Sequence, residues 1–397
     1  MSSTPSAAWG RYASDAVQLA RAYDCPGSYV GSLQQRPTLI HARINERVCN
    51  WYMPVFDRPS YGGLMTCFRL ATAMASRGVR QRFIVCGPCD IDQISVKVAE
   101  LFPSLQDAEF IALDSAAAMA AIPFADYSIA TLWTTAYILL GVTNTALKFY
   151  MIQDMEPLFY PAGSTYGQAE LTYRFGFIGI ANTESIADIY RKDYGGTTLV
   201  LVPQIDPAVF HPIGRTALNS PRRIFYYARP DIPRNCFELA AVALKRVKER
   251  MGDGVEIVLA GAEFDQREYG LNPKDFAALG MLPYARTADL YRSCHAGLAL
   301  MMTKHPSYLP LELMACGAIA VTNRNPANQW LLRDRENCIT AWPTAECLAD
   351  ALQDAVTNFD SHSTIRGNAL NTVAAMSNWQ EQLSRVVDGM LYFQSAH

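Results

Sequence analysis

Residues 296–323 read AGLALMMTKHPSYLPLELMACGAIAVTN, and the order of residue types in this stretch decides how the rest of the chain is read. Ala296 to Met302 is an apolar run with the length of a buried strand, and Ala318 to Thr322 is a second. Between them, Pro310 suits the first turn of a short helix, where N–H groups have no intrahelical partner, and Gly317 suits its exit, where a left-handed residue is needed. A helix that starts just past the carboxyl end of a parallel strand turns free N–H groups and a positive dipole end outward, the elementary layout of a phosphate site. Glu312 falls in that first turn. Its carboxylate can complement the helix dipole or accept hydrogen bonds from a vicinal diol such as a ribose.

A chain of 397 residues exceeds what one core usually fills, so two domains are expected. Hydrophobic residues make up 50% and charged residues 18%, a globular composition. The net charge of −3 gives no overall attraction for nucleic acid. No apolar run is long enough to span a bilayer, and the N-terminus lacks a charged start followed by an apolar block, so a cytoplasmic protein is expected. The ten cysteines are scattered in apolar surroundings and read as reduced, buried thiols. Cys86-Gly87-Pro88-Cys89 has the spacing of a redox motif, but no Trp precedes it, and it reads as a strand-ending turn. Asp90-Ile91-Asp92, after a peripheral strand, is not assigned a metal.

Working outward, strands and helical patterns alternate through both halves, as in parallel sheets covered on both faces. The strand Val48 to Phe56 leads through Tyr61-Gly62-Gly63 into a helix from Leu64 to Ser76, a place where backbone can approach a ligand closely. Gln153, Asp154 and Glu156 directly follow an apolar strand, at the edge where open α/β folds bind ligands; they can equally cap a loop. Pro203, Pro207 and Pro212 mark a linker. The expected division is an extension over 1–47, domains over 48–212 and 213–364, and terminal helices over 365–397. In the second domain, Arg229 and Arg234 lie on one strand-to-helix loop, where two guanidinium forks can converge on an anion.

The segment Pro306-Ser307-Tyr308-Leu309-Pro310-Leu311-Glu312-Leu313-Met314-Ala315-Cys316-Gly317 resembles the donor-site signature of the retaining glycosyltransferases of GT-B fold. That resemblance implies an α/β protein of two Rossmann-like domains facing across a cleft, with the terminal helices crossing back to the first. It gives Glu312 the nucleotide ribose, and Arg229 and Arg234 the donor diphosphate. Gln153 and Asp154, assigned with Arg229 and Arg234 to catalysis, fall where the family often has His-Asp, the His meeting the donor sugar, and Lys304 falls where it has a second Glu that contacts that sugar. The implied donor site is Gly62, Gly63, Tyr284 near the nucleobase, Lys304, His305, Ser307, Tyr308 and the backbone of Leu309, Pro310 and Leu311. Tyr61 and Glu156 are assigned to the acceptor.

The segment Gln153 to Phe177, with its Phe159-Tyr160 and Tyr173-Arg174-Phe175-Gly176-Phe177, resembles the rhamnosyltransferases of bacterial surface polysaccharides and S-layer glycans. It implies dTDP-β-L-rhamnose as nucleotide-sugar cosubstrate, with no separate cofactor and no metal. The acceptor implied is a glycan or lipid-linked oligosaccharide, reached by peripheral contact at the inner face of the cytoplasmic membrane. A non-catalytic glycan-binding protein, or an epimerase or phosphorylase on the same fold, is the competing reading.

Overall fold

A computed structural model describes residues 13–27, 47–60, 62–216, 220–376 and 378–395. The chain divides into two compact units, one running to Val202 and completed by the segment from Gln380, the other spanning Pro203–Trp379.

The first unit is a seven-stranded sheet of β1 (Arg47–Pro54), β2 (Val79–Cys86), β3 (Glu109–Leu113), β4 (Ala125–Ala130), β5 (Thr145–Ile152), β6 (Ile178–Ala181) and β7 (Thr198–Val200). All neighbours are parallel, in the order β3-β2-β1-β4-β5-β6-β7. β1 is buried along nearly its whole length, as a strand covered on both faces must be. The strand order reverses between β1 and β4, and crevices form at the carboxyl ends of strands at such a reversal.

The second unit repeats the plan with six strands: β8 (Arg222–Tyr227), β9 (Val255–Ala260), β10 (Phe276–Ala278), β11 (Ala296–Ala299), β12 (Ile319–Asn323) and β13 (Ile339–Ala341). They run parallel in the order β10-β9-β8-β11-β12-β13 and reverse between β8 and β11. The helix between β11 and β12 is Leu309–Ala315, and Gly317 after it has φ 75°, the left-handed exit read from the sequence.

Three expected boundaries move, each for a physical reason. The strand expected to run to Met302 stops at Ala299, because both backbone groups of Met301 are taken by the side-chain amide of Asn323: its N–H donates to Asn323 Oδ1 at 2.8 Å and its carbonyl accepts from Nδ2 at 3.0 Å. The boundary expected after residue 212 falls inside the second unit, where Phe210 is buried with its ring stacked on Tyr291. Helix Ser363–Ala374 also stays there, with Ala369 in the same core cluster as Phe210. From Gln380 onward helix Trp379–Ser395 belongs to the first unit, where Gln382 accepts from Val202 N–H and Arg77 bridges to Asp388.

Gly297 in β11 faces the helix that carries Glu312, and a Cβ there would stand 2.4 Å from Leu313 Cδ1. Gly297→Ala is expected to destabilise the protein by about 1–3 kcal/mol through overpacking, read as a lower urea midpoint with an unchanged slope.

Candidate functional site

At the carboxyl edge of the second sheet, two loops meet. The first follows β8. Arg229 grips Asp231 with two nitrogens, Nε to Oδ1 at 3.2 Å and Nη2 to Oδ2 at 3.1 Å, and its Nη1 donates to the Tyr227 hydroxyl at 3.3 Å. Burial opposes the charge on this guanidinium, but the Asp231 fork and the Tyr227 hydroxyl outweigh it and hold its pKa above the ordinary arginine value. Hydrogen bonds from Arg229 hold the Asp231 carboxyl below its ordinary value, and the positive charge of Arg234 acts on it in the same direction. Both arginines therefore bear on one carboxylate, which stands where an anion would be attracted. Arg234 sits in the 3-10 turn Pro233–Asn235, and its carbonyl accepts the Met302 N–H at 3.2 Å.

That hydrogen bond ties the first loop to the second, which follows β11. Asn325 donates to the carbonyls of Met301 and Thr303, at 3.2 and 2.6 Å. Lys304 is exposed, and His305 is buried with its Nδ1 accepting the Ser307 N–H at 3.0 Å. Ser307 is left-handed at φ 66°, a conformation that costs a non-glycine residue about 1–3 kcal/mol and persists where surroundings over-determine it. The Tyr308 ring lies between those of His305 and Trp379. Glu312 is half-buried in the first turn of the following helix.

Burial limits what several of the expected donor residues present. Leu309, Pro310 and Leu311 are all buried, with the two leucine side chains in the core, so only the N–H groups of Leu309 and Leu311 remain to offer, since proline has none. Tyr284 opens helix Tyr284–Ser293 with its ring edge against Phe210 at 5.3 Å, which makes it partly a core residue. Sequence reasoning missed Asn323 and Asn325, the two side chains that hold the loop. The available signal was their position directly after an apolar strand.

In the first unit, Gly62 and Gly63 open helix Gly62–Ala75, and the structure brings Gly63 against Gln153: a Cβ on Gly63 would lie 3.1 Å from Gln153 Oε1. Gln153 is half-buried and donates to Cys67 Sγ at 3.6 Å. Its two neighbours turn inward. Asp154 is buried, with Oδ1 on the Met155 N–H at 2.7 Å. Glu156, expected at the acceptor, is 2% exposed; its Oε2 accepts from the Trp133 N–H at 2.6 Å and the Tyr150 hydroxyl at 2.9 Å, so it caps helix Trp133–Gly141 from within the core. Tyr173, Phe175 and Phe177, whose type suits a sugar face, are buried too, Tyr173 among Tyr150, Tyr190 and Tyr194. Tyr61 lies outside the described residues. Burial pushes the Cys86 thiol up to about 12, the opposite of an activated redox cysteine, and Asp90 accepts from Gln93 N–H as a helix cap.

The two sheets with reversed strand order match solved glycosyltransferase-type structures over nearly their full length. HepE from Anabaena, solved with UDP and glucose, aligns over 88% of this chain and 100% of that one, with 14% identity and a TM-score of 0.66. Sucrose-phosphate synthase from Thermosynechococcus elongatus aligns over 88% and 99%, with 13% identity and a TM-score of 0.65. The fold is that of the GT-B glycosyltransferases. Within this GT-B chain, residues 222–353 match the family model of the WsaF C-terminal domain. The O-antigen biosynthesis protein RfbC of Myxococcus xanthus is 39% identical over 355 residues, which cover 89% of this chain and 28% of that protein. The chain thus spans little more than a quarter of this curated relative. Among the described residues, no helix is long and apolar enough to cross a membrane.

Glu156→Gln removes a charged acceptor from two buried donors, and about 1.5–3 kcal/mol of stability is expected to go with it. Denaturant unfolding checks this; a purely acceptor-binding role would leave the midpoint unchanged.

Proposed function

We propose that the protein transfers a sugar from a nucleoside diphosphate donor to a hydroxyl of a glycan or lipid-linked oligosaccharide, with retained anomeric configuration, in the synthesis of a surface polysaccharide. The observation that carries this reading is the meeting of two loops at the carboxyl edge of the second sheet. Arg229 and Arg234 both act on the position of Asp231, and the Arg234 carbonyl is bonded to the loop that leads into Glu312. As the nucleotide departs, charge gathers on the diphosphate, and cations already held in place stabilise it without reorganising. Arg229 and Arg234 are assigned this role, with the N–H groups of Leu309 and Leu311, and Glu312 is assigned the ribose. Gly63 and Gln153 meet on the first unit, where the Gln153 amide can bond a sugar hydroxyl but cannot take a proton. The leaving phosphate itself then receives the acceptor proton on the same face, and the reaction needs no protein nucleophile, metal or further cofactor.

The donor we assign is dTDP-β-L-rhamnose. Tyr308, half-buried before the helix that bears Glu312, offers apolar surface suited to a sugar without a C6 hydroxyl, whereas Pro306 and Leu309, expected to share in it, are buried; Lys304 or His305 meets a ring hydroxyl or phosphate. The name of the RfbC relative, an O-antigen biosynthesis protein, agrees with work on a surface polysaccharide. A cytoplasmic site at the inner membrane face goes with that assignment.

Thermal-shift measurements with dTDP, UDP and GDP test the donor: a ligand at about 100 times its dissociation constant adds roughly 2.7 kcal/mol of stability. Stabilisation by dTDP is expected, and a shift by UDP or GDP alone overturns the rhamnose assignment. Arg229→Ala and Arg234→Ala are each expected to slow transfer by about 10²–10³ in kcat, the effect of losing one donor that stabilises transition-state charge. Wild-type rates in both variants reject the diphosphate role. Donor hydrolysis without an acceptor separates an enzyme from a non-catalytic sugar-binding protein.

A further inference from the structure

A pocket of about 340 Å³ opens at the carboxyl ends of β12 and β13. Its size is at the lower end of small-molecule sites, roughly 300–1,000 Å³. The floor is polar: Thr322 and Thr340 sit side by side in register, and Asn328, 5% exposed, has a side-chain carbonyl oxygen sealed from solvent that meets no donor among the described residues. Asn323 and Asn325 form a wall whose amides are already committed to the Met301 and Thr303 backbone. The rim carries Arg324 and Arg333, and each guanidinium has an acidic neighbour, Asp334 at 3.6 Å and Glu336 at 2.8 Å. The rim charges therefore cancel pairwise, and the acidic Asp334 lines the pocket itself. That composition disfavours a phosphate and suits a neutral ligand rich in hydroxyls.

A second observation points the same way. Trp342 is 60% exposed and adjoins the rim through Arg324, whose guanidinium lies over one face of its ring, 4.9 Å from the centre. The face turned away from Arg324 offers a flat apolar surface next to donors and acceptors, the pairing that a pyranose ring with one C–H face and several hydroxyls requires.

We propose that this pocket is a saccharide site separate from the nucleotide end, which holds one neutral sugar unit of the glycan chain through Asn328, the paired rim groups and the face of Trp342. Its use in glycan extension rests on the proposed transfer reaction, whereas the binding itself does not.

Isothermal titration of the full chain with α-linked rhamno-, manno- and gluco-trisaccharides, with no nucleotide present, tests it. One of the three is expected to bind, with affinity at least tenfold weaker in Trp342→Ala, an exposed position, and in Asn328→Leu, which fills the floor. Both variants are expected to keep the wild-type thermal shift with nucleoside diphosphate, which shows that they fold. Absence of binding by all three sugars, equal affinity in both variants, or displacement of the sugar by inorganic pyrophosphate overturns the proposal. Saccharide binding without any sugar transfer leaves the site standing and rejects the transfer reaction instead.

Discussion

The second unit depends on the side-chain amide of Asn323. By bonding both the N–H and the carbonyl of Met301, it stands in for the neighbouring strand and ends β11 at Ala299. A buried backbone pair released from a ladder needs such partners, because an unmade hydrogen bond costs far more than a made one contributes. From that point the loop is held from two sides, by Asn325 and by the Arg234 carbonyl. The left-handed Ser307 and the first turn bearing Glu312 inherit their positions from this clamp. The same two asparagines, whose amides bond the loop, also line the pocket at the ends of β12 and β13.

Polar residues that look alike in sequence are sorted by burial into unlike roles. Gln153 keeps part of its surface and touches Gly63, whereas Glu156, three residues on, is enclosed and holds the start of helix Trp133–Gly141. A carboxylate at 2% exposure persists because two donors point at it, the Trp133 N–H and the Tyr150 hydroxyl. Around it, Tyr150, Tyr173 and Tyr190 bury large rings and place their hydroxyls on polar partners, Tyr190 on the Phe177 carbonyl and Tyr173 on that of Asp154. The aromatic segment thus builds the floor under the loop. On the second unit, charge is kept near the surface in matched pairs: Asp231 holds Arg229 at two points, and the charge of Arg234 acts on the same carboxylate.

What the sequence by itself determined was periodic or stereochemical. Alternating apolar runs and helical patterns are short-range signals, so two parallel α/β units, the helix with Pro310 in its first turn and the left-handed exit at Gly317 were legible without coordinates. The pairing of Arg229 and Arg234 on one loop was legible too, since five residues of separation hold them close wherever the chain goes. Only the tertiary structure decided the rest, because burial and hydrogen-bond partners are set by residues far away in sequence. Glu156 became a cap through Trp133, and β11 was cut short by Asn323 from the next strand. Phe210 drew the unit boundary back to Val202 by packing on Tyr291. None of these contacts leaves a local pattern, since each depends on which side chain the folded sheet brings opposite.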